Sequence, residues 1–137
     1  MNIFFKLLSG LILLSIAGCG IENIDKPSPG YLSLWEKPGA DFTEIAKALL
    51  ECGMPAPYDV FPESRKQSIN AKATVHACMT QAGYHYKNEH EGGWCYTFKE
   101  ENLPICRPGA VIPQRSVKRR LNSPFCKKNP KEDECQP

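Results

Sequence analysis

DFTEIAKALLECG, residues 41–53, is the stretch that decides the fold. Asp41 and Glu44 have the spacing of a capping box, in which the N-cap side chain accepts from a first-turn amide and the acidic residue reaches back. Phe42, Ile45, Ala46, Leu49 and Cys52 recur at helical spacing, so one face of the segment is apolar and ends in a cysteine. Gly53 supplies the backbone freedom that stops a helix. The spacing therefore predicts an amphipathic helix from Phe42 to Cys52 whose apolar stripe needs a partner.

A partner follows in the chain. Ala71, Val75, Cys78, Met79 and Ala82 lie on one helical stripe, which predicts a second helix from about Ser68 or Asn70 to Ala82, stopped by Gly83. Between the two helices, MPAPYDVFPE (54–63) carries three prolines and reads as a loop. A helical hairpin of this kind places Cys52 and Cys78 within bridging reach. Upstream, Tyr31–Trp35 reads as a short strand or extended lead-in, and Pro38-Gly39 as a tight turn. Downstream, Tyr84-His85-Tyr86 and Trp94–Phe98 flank the turn-like stretch 88–93, so a β-hairpin lying on the helices is expected. Pro113 to Leu121 reads as one or two helical turns with Pro113 first. Residues 122–137 read as a polar tail closed by cysteines. The fold class expected is a small, mainly helical α+β domain stapled by disulfides.

The first twenty residues, MNIFFKLLSGLILLSIAGCG, set a different kind of constraint. Lys6, an apolar run from Leu7 to Ala17 and small residues before Cys19 have the make-up of an export signal. The run is shorter than the roughly 20 apolar residues that span a bilayer. Leu14-Ser15-Ile16-Ala17-Gly18-Cys19 resembles the lipobox of bacterial lipoproteins. The resemblance implies cleavage between Gly18 and Cys19, a thioether-linked diacylglycerol on Cys19 and acylation of its new amino group. It also implies, through Gly20 in place of an aspartate after the lipidated cysteine, the outer rather than the inner membrane. The chain then divides into a signal (1–18), a lipidated tether (19–30), a globular domain (31–106) and a basic extension (107–137). A second pattern, Trp35-x-Lys37-Pro38-Gly39, Leu49-Leu50-Glu51-Cys52-Gly53 and Cys78-Met79-x-x-x-Gly83-Tyr84, is similar to small lipoproteins of Gram-negative bacteria, a resemblance that carries no activity with it.

Seven cysteines are an odd count for an exported chain. Lipidation of Cys19 removes the oddity and leaves six, free to pair in an oxidising compartment. Sequential pairing, Cys52–Cys78, Cys95–Cys106 and Cys126–Cys135, closes three short loops and is the arrangement expected among the fifteen possible. No two cysteines lie closer than nine positions. That spacing matches neither a C-x2-C zinc site nor a C-x-x-C redox pair, so no metal and no cofactor is expected.

Charge is distributed unevenly beneath a net +2. Arg107, Arg115, Lys118, Arg119, Arg120, Lys127, Lys128 and Lys131 occur in a segment that has no acidic residue. Such a run attracts phosphates, anionic lipid heads or an acidic protein face, and it is the candidate anion-binding surface. A nucleic-acid partner is not expected, since no base-stacking motif accompanies it. His76, His85 and His90 are the only histidines, and His85 and His90 with Glu89, Glu91 and Cys95 are the one group with catalytic potential. No G-x-S-x-G, H-E-x-x-H or phosphate-binding glycine loop is present. The sequence thus points to a non-enzymatic envelope lipoprotein acting as a structural or interaction module. The alternative is an inhibitor or immunity-type binding protein directed at an envelope toxin or hydrolase.

Overall fold

Two Schellman turns frame the core. A computed structural model describes residues 30–58, 61–88 and 93–137. In it the first long helix, α1 (Phe42–Glu51), begins where Asp41 accepts from the Glu44 amide at 2.9 Å. It ends with Gly53 at φ +105°, where the Gly53 amide donates to the Leu50 carbonyl and the Met54 amide to that of Leu49. The other long helix (Ile69–Gln81) is capped by Ser68 and ends identically, with Gly83 at φ +89° and the Gly83 and Tyr84 amides on the Thr80 and Met79 carbonyls. The 6→1 and 5→2 bonds satisfy carbonyls that would otherwise be orphaned, and left-handed φ favours glycine at both stops.

Short α2 (Pro62–Arg65) separates the two, so Ile69–Gln81 is α3. The prolines of the 54–63 stretch thus end in a helical turn with Pro62 at its start, where proline's missing amide costs nothing. Pro57 and Ala56 of that stretch are buried. Cys52 and Cys78 are bridged, Cα to Cα 5.6 Å. The helical pair and its staple are as the sequence suggested.

Strand pairing differs from the expectation. Tyr31–Trp35 is mostly a 3-10 turn (Leu32–Leu34), and β1 is only Trp35–Glu36. β2 (His85–Tyr86) pairs antiparallel with β1, Trp35 facing Tyr86 and Glu36 facing His85. The partner expected for β2, Trp94–Phe98, lies instead in and just after helix α4 (Gly93–Thr97). Trp94 and Phe98 are four residues apart and stack with centroids 4.8 Å apart, the helical neighbour relation. The aromatic content of this stretch and the turn-like segment before it suggest a strand, but the backbone is helical and Tyr96, between the two rings, is exposed.

After 3-10 turns at Lys99–Glu101 and Pro104–Cys106 come α5 (Val117–Leu121), α6 (Pro124–Lys128) and a final 3-10 turn at Asp133–Cys135. The helix expected from Pro113 starts later, because Ser116 is the residue that caps it, accepting from the Arg119 amide. The expected polar tail, 122–137, is folded against the rest: Phe125, Cys126 and Cys135 are buried with Leu50 and Ala56. Cys95–Cys106 and Cys126–Cys135 are the other two bridges.

Helix α1 therefore serves two apolar clusters. Ile45, Ala46, Ala48, Leu49 and Cys52 face Leu32, Trp35, Val75, Met79 and Tyr84, while Leu50 faces Phe125. The expected signal, Cys19 and the expected tether up to residue 29 lie outside the described residues. Leu49→Ala removes a fully buried side chain and is expected to cost about 2–5 kcal/mol, whereas Phe42→Ala, on the half-exposed start of the same helix, should cost about 1 kcal/mol or less. Chemical denaturation of the oxidised chain measures both.

Candidate interaction surface

Glu51 closes α1 with a carboxylate that is almost fully buried. Burying such a charge is unfavourable unless it is paired and hydrogen-bonded, and this one is matched by two guanidinium groups. Arg115 Nε donates to Oε2 at 2.6 Å and Arg120 Nε to Oε1 at 3.1 Å. The Glu51 main-chain carbonyl accepts from the Arg119 guanidinium and from the Ser116 amide. Arg120 goes on to donate to the Glu134 and Gln136 carbonyls, and Arg115 to the Tyr84 hydroxyl at 3.4 Å.

The candidate anion surface is thereby split. Arg120 is 3 % exposed and points inward, a correction to its place in a solvent-facing run, and Arg115 and Arg119 are engaged with α1. Lys128 pairs with Glu63 at 2.7 Å and holds that carboxyl below its ordinary range, chiefly through the hydrogen bond. Arg107, Lys118, Lys127 and Lys131 remain exposed, with no ion pair among the described residues. Beside them in sequence are exposed aliphatic groups: Val111 at 87 %, Val117, Leu121 and, less so, Ile112. Val117 and Leu121 are four apart and share one side of α5.

The W-x-K-P-G and C-M-x-x-x-G-Y patterns meet in space. Trp35 packs on Tyr86 with centroids 5.0 Å apart. Lys37 donates to the Ala82 carbonyl at the end of α3, at 2.8 Å, with its ammonium 5.0 Å from the centre of the Tyr84 ring. A cation at a helix C-terminus offsets the negative end of its dipole. These motif residues are thus a mutual packing set.

Two of the three histidines lie within the described residues. His76 is buried among Trp35, Tyr86 and Trp94, whereas His85 is exposed on β2. Cys95 is tied to Cys106 and offers no thiol. His90, Glu89 and Glu91 lie outside the described residues. Among the described residues no cluster of histidine, cysteine and carboxylate groups suits a metal, and no helix is long and apolar enough to cross a membrane.

Tyr58 ties the last segment to the loop between α1 and α2, donating to Glu134 Oε1 at 2.9 Å. Burial, then that hydrogen bond and the charges of Glu134 and Glu132, push its phenol far above the ordinary value. Burial also raises Tyr84, against the opposing charge of Arg115. No protein-family model, curated protein or solved structure matches this chain.

Two outcomes follow from this geometry. Arg120→Ala leaves Glu51 half-matched and is expected to cost about 3–5 kcal/mol, while Arg107→Ala stays within about 0.5 kcal/mol, as read by urea unfolding. For the tyrosines, a phenol raised on folding contributes stability that is present below its unfolded pKa, near 10, and is lost as pH rises through the folded value. Thermal midpoints should therefore fall as pH passes about 10, and Tyr58→Phe should flatten that fall.

Proposed function

We propose that this chain is a lipid-anchored protein of the bacterial envelope, non-enzymatic, that works as an interaction module presenting residues 107–131 to an anionic partner. The lipobox-like Leu14–Cys19 supports the anchor. The single observation that supports the interaction role is that exposed aliphatic side chains and exposed cations share the stretch 107–121: Val111, Val117 and Leu121 with Arg107 and Lys118. Interaction sites join an apolar centre to a polar rim, and rim charges set partner choice and encounter rate.

The partner in this reading is an anionic envelope component or an acidic protein face. Gly20 favours the outer membrane by resemblance. An inhibitor directed at a toxin or hydrolase is the second reading, favoured by the protrusion of Val111, which suits insertion into a protein pocket better than lateral contact with a headgroup layer.

Palmitate labelling followed by mass spectrometry of the mature N-terminus tests the anchor: a triacylated Cys19 is expected, and its loss in Cys19→Ala. An unmodified Cys19, or Gly18 still attached, contradicts it. Crosslinking in the intact envelope tests the surface. Arg107→Glu with Lys118→Glu should cut partner recovery about tenfold while leaving the thermal midpoint in place, since neither side chain is held by the fold. Unchanged recovery would turn attention away from this surface.

A further inference from the structure

A second feature lies on α2 and α3. A cleft of about 380 Å³ opens where α2, α3, α4 and the turn at Tyr31 come together, within the roughly 300–1,000 Å³ typical of small-molecule sites. Its floor is Met54 and Val75, both buried, and its aromatic walls are the half-buried Tyr31 and Trp94. Arg65 and Lys72 complete the lining, and among the described residues no carboxylate takes part in it.

Neither Arg65 nor Lys72 has an ion pair among the described residues. Lys72 and Val75 are three apart on α3 and share a face, so the base of the lysine stem sits about 4.5 Å along the axis from the apolar floor. Two of the neutral polar groups in the lining are already committed. Ser64 Oγ donates to the Ala56 carbonyl and Gln67 Nε2 to that of Gly53. A peptide or sugar would thus bring many hydrogen-bonding groups to a cleft with few open partners, and those groups would be desolvated at a cost. An apolar chain ending in one anion meets each feature once: its body covers Met54, Val75 and the aromatic walls, and its head lies between two cations.

We propose that this cleft binds a single-chain anionic amphiphile, a fatty-acid carboxylate or a monoalkyl phosphate, with the chain against Met54, Val75 and Trp94 and the head on Lys72 and Arg65. The site is separate from the α5 surface and stands whether or not that surface binds a partner.

The test is a titration of the full-length oxidised chain below the micelle concentration of the probe, followed by the NMR resonance of the Trp94 indole. Saturable shifts are expected with dodecanoate and with dodecyl phosphate, and the tighter of the two identifies the head. Dodecyltrimethylammonium, of equal chain length and opposite charge, should bind about tenfold more weakly or less. Lys72→Glu with Arg65→Glu should weaken dodecanoate by a similar factor, with the circular dichroism and thermal midpoint retained, because both side chains reach solvent. The absence of saturable shifts overturns the proposal, as does equal affinity for the cationic probe or for the double variant.

Discussion

A buried carboxylate at the end of α1 is the constraint on which the arrangement of this chain depends. Glu51 sits one residue from the Cys52 bridge and directly after Leu49 and Leu50, which anchor the two apolar clusters. A lone charge in that position would be costly to desolvate, so the chain after Cys106 has to return with guanidinium groups. Arg115 and Arg120 satisfy one carboxylate oxygen each, and Arg119 the carbonyl behind them. That return delivers Phe125 and the Cys126–Cys135 loop to the second cluster. The segment expected as an extension therefore packs along α1 and covers the side that α3 leaves open.

The local elements were legible where short-range chemistry determines them. Asp41, Ser68, Gly53 and Gly83 mark helix ends through hydrogen bonds made within a few residues, and the periodicity between them gives the buried faces. The three bridges were legible for the same reason, since each joins neighbouring cysteines across a short loop. Long-range choices were not. Trp94, Tyr96 and Phe98 satisfy a period of two as well as the spacing of one helical turn, and only packing of Trp94 toward His76 separates the alternatives. Likewise, nothing local assigns Glu51 to arginines more than sixty positions away. The available signal was the charge asymmetry itself. An all-basic segment and a lone acid within Leu49-Leu50-Glu51-Cys52 are complementary, and their pairing would have turned Arg120 inward on paper.

Three of the eight arginines and lysines after residue 106 thus build the fold, and the exposed remainder is smaller and more mixed with aliphatic groups than the sequence alone suggests. This division sharpens the functional reading. In the proposed readings, binding falls to side chains the interior does not use: Arg107 and Lys118 with the exposed aliphatic groups of the stretch 107–121, and Arg65 and Lys72 at the cleft. Of the two described histidines, His76 packs among aromatic rings and His85 is exposed on a two-residue strand. The proposed anchor and the two proposed anion-binding features are consistent with each other at a membrane surface, where acyl chains and acidic headgroups are the prevalent chemistry.

The central structural claim is that residues 107–137 are integral to the fold through Glu51. Native-state amide exchange tests it most directly, because the Ser116 amide donates to the Glu51 carbonyl and the Phe125 amide to that of Pro55. Both should be protected to the same degree as the α1 amides, and Glu51→Gln should lower the protection of all of them together. Free exchange at Ser116 and Phe125 beside a protected α1 would contradict the account, showing the last segment to be an appendage that the helix does not need.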